Sequence, residues 1–354
     1  MAVFHAQKTE ATTNEAERLR EVFRPVAAVL AKAQRKYESM LRTGVSEFLL
    51  EDFAIRNISS QSDFLDRMLE TISSAQGKWL RAGITLLCTK VTGVDPITSV
   101  DVAVACEMIH TASLMHDDVL DGASLRRGQP SASSRWGNSL AVLGGDLLLA
   151  LAFNLLTRSN SQACLEDISG SAVRVCLGEM AQQNASGSAS VTEEEYLGII
   201  DRKTASLFRS CARCGGLLGK AERPIVDALG DFGHSFGMAF QIVDDLLDFL
   251  SEDSFSGKTL GTDISQGKTT LATIHHLATK SPERRDNTVI AELEAEDLRK
   301  TGSLDFAFQK ARYYSEASQE ALGKIQTADS ASLESLRSLS SFILERTPLQ
   351  LLGR

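Results

Sequence analysis

Residues 97–121 read ITSVDVAVACEMIHTASLMHDDVLD. The turn Gly93-Val94-Asp95-Pro96 stops whatever precedes them, and the run that follows is apolar and helical over Ile97–Leu120. It shows none of the period-two alternation of a strand. Its carboxylates gather at one end. Asp117 and Asp121 are four residues apart and share a helical face, and His110 projects along nearly the same line two turns earlier. Like charges at this spacing destabilise a helix, and desolvation raises their pKa. An apolar helix ending in such a pair implies a compensating cation. D-D-x-x-D alone also fits a solvated helix end, the usual fate of carboxylates, so this one stretch leaves both readings open.

The rest of the chain reads the same way. Its 354 residues are 43% apolar and 23% charged, which excludes a disordered polypeptide. Only six prolines occur (Pro25, Pro96, Pro130, Pro224, Pro282, Pro348) and aromatics are 6%, so long helices have room and a β-rich fold is disfavoured. Helices are expected over Glu15–Ala75 with breaks, Gly77–Thr92, Asp146–Thr157, Ser169–Asn184, from the capping box at Thr192 toward Arg213, Pro224–Leu250, Thr269–Thr279 and Glu283–Arg346. Gly122–Asn138, Ala185–Val191 and Ser251–Lys268 read as loops. The expectation is one all-α domain over 15–354, a helical bundle with a central cavity, behind a disordered tail at 1–14.

A net charge of −9 lacks the footprint of a nucleic-acid binder. No signal-peptide pattern is present, and Ser139–Leu156, the most apolar segment, holds Gly144, Gly145 and Asp146 and reads as a buried helix rather than a membrane span. The six cysteines are scattered through apolar runs, which suits reduced thiols and a cytoplasmic protein. Cys211 and Cys214 form a C-x-x-C without a second Cys/His pair at zinc spacing.

A second apolar helix decides between the two readings of the first. Phe240-Gln241-Ile-Val-Asp244-Asp245-Leu-Leu-Asp248 repeats the pattern, with Gln241 one turn below Asp244. Two such helix ends facing each other offer hard oxygen ligands from opposite walls. Open sets of this kind suit Mg²⁺, which keeps waters and takes remaining ligands from phosphates. Basic residues flank both motifs: Lys78 and Arg81, expected three apart on one helical face; Arg126 and Arg127; Lys203 beside Thr204; and Lys258 and Lys268 in a Gly-rich loop. Each alone is ordinary surface charge. Beside acidic sites they suit phosphate, Arg as a fork of donors and Lys as a point charge.

Five elements in order, G-K-x-x-R, H-D-D-x-x-D, R-R-G, F-Q-x-x-D-D-x-x-D and G-K-x-x-G-x-D-x-x-x-G-K-x-T-L, resemble the trans-isoprenyl diphosphate synthases (polyprenyl synthetase family), with the match running from Gly77 to Lys268. Two departures are Gln76-Gly77-Lys78-Trp79-Leu80-Arg81-Ala82 for the family's G-G-K-R-x-R-P, and Thr270-Leu271-Ala272 for T-L-P. The resemblance implies an enzyme that ionises an allylic diphosphate, adds isopentenyl diphosphate to the cation 1′-4 with all-trans geometry, and releases diphosphate. It implies several Mg²⁺ ions held by Asp117, Asp121 and Asp244, with Asp118, Asp245 and Asp248 as further motif members. Arg126, Lys203, Lys258 and Lys268 would serve the leaving diphosphate, with Thr204 and Gln241 beside them. Lys78, Arg81, His110 and Arg127 would hold isopentenyl diphosphate. A homodimer is implied as well.

Rival readings are a structural polar seam, a class I terpene cyclase and a regulatory subunit of a heteromeric synthase. The second D-D-x-x-D stands where cyclases usually carry an N-S-E type motif, and regulatory partners usually lack one of the two carboxylate motifs. Product length turns on Ser113, Ala112 and Ile109, which lie four, five and eight residues before Asp117. Short-chain relatives commonly place an aromatic at the fourth or fifth position. Small residues here favour a medium- to long-chain product, with geranylgeranyl or farnesyl diphosphate as the alternative should Phe153 or Met180 close the tunnel lower down.

Overall fold

The computed structural model describes residues 15–41, 77–126, 129–251, 268–280, 293, 295–327 and 329–347. In chain order the helices are α1 (15–22), α2 (Ala27–Ser39), α3 (Leu80–Val91), α4 (Val100–Leu120), α5 (Ala132–Trp136), α6 (Asn138–Arg158), α7 (Gln162–Ala185), α8 (Glu193–Ile200), α9 (Ser206–Leu218), α10 (Arg223–Ser251), α11 (Leu271–Ala278), α12 (Ala295–Lys300), α13 (Ser303–Gly323) and α14 (Ser330–Glu345). A two-residue hairpin, β1 (Leu125–Arg126) against β2 (Gln129–Pro130), and α5 occupy what was expected to be plain loop. The all-α expectation otherwise holds. The expected tail 1–14, part of the first helical stretch (42–76) and the Gly-rich loop (252–267) lie outside the described residues.

The axis of the bundle is α4. Its residues are buried nearly all round, as an apolar helix without a polar face must be. It lies against α2, α3 and α6, while α9 packs across α3, α7 and α10, and α10 lies along α13. Apart from Asp101 in its first turn and His116, Val119 and exposed Leu120 in its last, one stripe of α4 escapes full burial: His110, Ser113, Leu114 and Asp117. Their i, i+3, i+4, i+7 spacing makes them one face. Among the described residues two helices are long and apolar enough to cross a membrane by length and composition, residues 96–120 and Asn138–Arg158, and the first of them is core.

Helix starts follow local chemistry. The Thr192 hydroxyl accepts the Glu195 N–H at 3.2 Å, and the Glu195 carboxylate accepts the Thr192 N–H at 2.8 Å, so the expected capping box is present. A second box, Thr270 with Thr273, starts α11. The N-terminus of α3 is capped from another helix: buried Glu107 of α4 accepts the Ala82 N–H at 3.0 Å.

The expected helix over Gly77–Thr92 starts three residues late. Trp79 stands at φ 55°, in the left-handed region, with its ring buried edge-on against Tyr37 at 5.4 Å. A bulky residue in that region is strained and persists because its surroundings fix it. Lys78 is therefore off the helix, and Lys78 and Arg81 do not share a helical face. The helix expected to run from Thr192 toward Arg213 is also interrupted, by a π-turn at Asp201–Ala205. Such insertions recur at functional sites.

Candidate active site

The π-turn carries Lys203 and Thr204, and two glycines hold it. A Cβ on Gly178 of α7 would sit 2.5 Å from the Lys203 amide nitrogen, and one on Gly237 of α10 would sit 2.6 Å from the Ala205 Cα. Hydrogen at both positions lets α7 and α10 close on the turn from two sides. Rings from Phe208 and Phe236 (5.1 Å between centroids) and Phe208 and Phe240 (5.4 Å) pack the layer beneath. The turn thus aims Lys203 at the C-terminal end of α4.

There the first aspartate cluster is paired with three cations. The Arg126 Nε and Nη2 donate to one oxygen of buried Asp118 at 2.8 and 2.7 Å. Lys268 donates to Asp121 at 2.8 Å. The Lys203 Nζ lies 3.7 Å from Asp117 and much closer to Glu179, its nearer partner. That preference has an electrostatic consequence. Although burial opposes it, the Lys203 ammonium holds the Glu179 carboxyl below the ordinary range. Burial pushes the Asp117 carboxyl up to about 6, with Glu179 and Asp121 adding repulsion that Lys203 only partly offsets. Asp117 is the under-neutralised member, a hard anionic oxygen ligand short of positive charge.

The second cluster lies across a cavity. Asp245 accepts from the Tyr196 hydroxyl at 2.6 Å and from the Gln241 amide at 2.7 Å, and the Gln241 oxygen accepts from the Thr204 hydroxyl at 2.6 Å. Asp244 is exposed and lies 3.4 Å from Arg346, just past the end of α14. Asp248 is half-buried. The cavity, about 620 Å³ including its open mouth, is walled by Lys203, Lys268, Gln241, Asp245, Tyr196 and Gln182, with Ile199, Ile200 and Val191. Lys203 and Lys268 are also the partners of Asp117 and Asp121, so both aspartate-rich helices serve one space. Among the described residues no three ligating side chains already converge on a point. The donor set fits a hard divalent cation whose coordination is completed by phosphate oxygens and water.

Of the other expected residues, Arg81 is buried with its guanidinium 4.4 Å over the Phe208 ring, and Lys78 pairs with Glu15. Burial, then repulsion from Arg346, keeps the Lys78 ammonium below its usual value. His110 shares the open stripe of α4 with Asp117 and with Ser113, whose hydroxyl donates to the His110 carbonyl at 2.8 Å. Ala112 and Ile109 face the core. Phe153 is half-buried, and Met180 is 67% exposed and closes nothing within one chain. Arg127 and Lys258 lie outside the described residues.

Sequence reasoning missed Glu179, Tyr196, Glu107, Arg346 and Glu15. A mid-helix glycine beside an acid at Gly178-Glu179 is the one local signal among them. Arg346 and Glu15 reach the site only through tertiary contact.

A family model described as Polyprenyl synthetase matches residues 62–309. The chain is 32% identical over 326 residues to the short chain isoprenyl diphosphate synthase of Methanothermobacter thermautotrophicus, covering 88% of this chain and 97% of that one. It is 30% identical over 319 residues to the octaprenyl diphosphate synthase of Escherichia coli, covering 85% and 98%. A polyprenyl synthase from Caulobacter crescentus, complexed with calcium and isoprenyl diphosphate, superposes with a TM-score of 0.78 at 29% identity over 93% of this chain and 97% of that one. Two facing aspartate-rich helices, cations already drawn to them, and likeness along nearly the whole length agree: the chain belongs to the polyprenyl synthetase family and is a prenyl-transferring enzyme, a trans-isoprenyl diphosphate synthase.

Proposed function

We propose that this prenyl diphosphate synthase uses Mg²⁺ as its divalent ion, makes a medium- to long-chain all-trans product, and works as a homodimer in the cytoplasm, with the one catalytic domain extending over 15–354. The observation that carries the site reading is that Lys203 and Lys268 wall the cavity shared with Gln241 and Asp245 while pairing with Asp117 and Asp121. Bound Mg²⁺ supplies positive charge to the departing allylic diphosphate. Asp117 and Asp121 hold the ions from one wall and Asp244 from the other. Asp118, Asp245 and Asp248 support them, Asp118 through Arg126 and Asp245 through Tyr196 and Gln241. Lys203 and Lys268 swing from carboxylate to diphosphate, joined by Lys258 from the Gly-rich loop, and Thr204 and Gln241 set the cavity wall behind them. This is preorganised charge aimed at a leaving group. Lys78, Arg81, His110 and Arg127 hold isopentenyl diphosphate.

The small side chain of Ser113, on the open stripe of α4, supports the longer product. An exposed apolar face supports the homodimer. Val142 and Leu143 on α6, and Val173, Leu177 and Met180 on α7, remain in water in one chain. The apolar segment Leu147–Leu156 of α6 itself packs largely inward, so the exposed face lies on the neighbouring turns.

The test is incubation of the purified single chain with Mg²⁺, excess isopentenyl diphosphate and farnesyl diphosphate, with the products sized. Prenyl diphosphates longer than geranylgeranyl are expected. Geranylgeranyl diphosphate as the end product would overturn the length reading, and no turnover without a second chain would overturn the homodimer.

A further inference from the structure

Around Lys78, beside a small recess apart from the cavity walled by Lys203 and Lys268, the chain brings together two cations and two carboxylates from four distant segments. Arg346, just past α14, donates from Nε to Glu15 of α1 at 3.0 Å, and Glu15 also accepts from Lys78. The Arg346 Nη2 reaches Asp244 at 3.4 Å, and its guanidinium lies 5.4 Å from the Phe240 ring. Its Nη1 is buried with no hydrogen-bond partner. These groups border a small apolar recess with Phe236 and Phe342. Guanidinium nitrogens seldom stay buried and unmatched, because the desolvation goes uncompensated. A monodentate carboxylate shared between a lysine and an arginine under-uses a fork shaped for a phosphate.

We infer that Glu15 is an internal stand-in for a diphosphate: in the ligand-free chain it occupies the anion position between Lys78 and Arg346, and isopentenyl diphosphate must displace it. Arg346 is then a further cation of that subsite, and α1 is a strap that competes with substrate. The inference rests on reading the surroundings of Lys78 as the isopentenyl diphosphate subsite. The same exchange draws Arg346 from Asp244 and frees that carboxylate for metal. Competition follows from charge alone, since a diphosphate carries more negative charge than one carboxylate and can engage Lys78 and both faces of the Arg346 fork together.

The experiment measures isopentenyl diphosphate binding calorimetrically in chelator, so neither turnover nor metal enters. Glu15→Gln removes the competing charge with little change of shape and should tighten binding about fivefold, the scale of one partly exposed ion pair. Arg346→Ala should weaken it about tenfold or more, with Arg346→Lys recovering part of the loss, because a charged hydrogen-bond partner is removed. With Arg346→Ala in place, Glu15→Gln should gain less. A merely structural ion pair gives a different signature: Glu15→Gln then lowers the unfolding midpoint and leaves affinity unchanged or weaker, which overturns the inference. Lys78→Gln separates the two levels. If it weakens binding while Glu15→Gln does nothing, the stand-in is wrong and the subsite stands. If neither Lys78→Gln nor Arg346→Ala matters, the subsite reading itself is wrong.

Discussion

Replacing Gly178 by alanine adds one methyl group at the point where α7 touches the π-turn. That Cβ would lie 2.5 Å from the Lys203 amide nitrogen and 2.9 Å from its Cα and Cβ. Carbon atoms pack at about 3.5–4.0 Å, so helix and turn must part by about 1 Å. The obstruction is backbone, and no side-chain rotation relieves it. Overpacking of this kind costs about 1–3 kcal/mol, while alanine returns about 1 kcal/mol of helix propensity. Net stability should fall by no more than about 2 kcal/mol. Turnover should fall far more. Lys203 sits between Asp117 and Glu179, and displacing a positioning group by about 1 Å can cost about 100-fold in rate. The assay is steady-state kcat/KM for the allylic substrate beside a denaturant unfolding curve. Gly230→Ala is the control, because the nearest atoms to its Cβ are Arg213 Cγ at 2.7 Å and Cδ at 3.0 Å, not the backbone of the π-turn. That variant crowds Arg213, which Asp167 and Asp227 hold, so it should cost stability of the same order yet keep activity within about twofold. A Gly178→Ala enzyme that is more stable than wild type and equally active would refute the claim that close backbone approach sets Lys203.

Four further outcomes are expected. Because burial raises the Asp117 carboxyl to about 6, charging it works against the fold. Metal-free protein should therefore lose stability as pH rises from about 4 to about 6, by about 3 kcal/mol at most, and Asp117→Asn should flatten that slope in chelator-buffered denaturation. Tyr196→Phe removes the 2.6 Å hydrogen bond to Asp245 and should raise the Mg²⁺ concentration for half-maximal rate about tenfold, read by metal titration. Leu177→Glu charges the exposed face of α7 and should yield monomers in sedimentation velocity, where an unchanged dimer would place the interface elsewhere. Ser113→Phe should shorten the product, since Ser113 borders the open stripe of α4. Ala112→Phe would instead overpack the core.

What was legible in the sequence is what repeats along one helix. Asp117, Asp121, Asp244 and Gln241 declare themselves by i, i+4 and i, i+3 spacing on apolar helices, and the helical class follows from scarce proline and absent alternation. What was hidden depends on packing between elements. A buried Trp79 held in the left-handed region breaks the helix that spacing alone would draw through Lys78 and Arg81. The π-turn under Lys203 has no sequence period of its own and exists because Gly178 and Gly237 admit it. Arg126 was expected on diphosphate and is seen clasping Asp118, since a buried carboxylate takes the nearest cation when no ligand competes. Glu15 and Arg346 lie at opposite ends of the described chain, and only the closed bundle makes them neighbours.

The central claim is that Asp117 and Asp244 act together on metal from opposite walls. The most direct measurement is Mg²⁺-dependent product formation by Asp117→Asn and Asp244→Asn, each alone, with unfolding curves on the same preparations. Asp117→Asn should fold at least as stably as wild type in chelator, because it removes an under-neutralised charge. Both variants should lose turnover by about 100-fold or more, the scale of removing a preorganised electrostatic group. If either folded variant keeps more than about a tenth of wild-type turnover at saturating Mg²⁺, the two-wall account is contradicted.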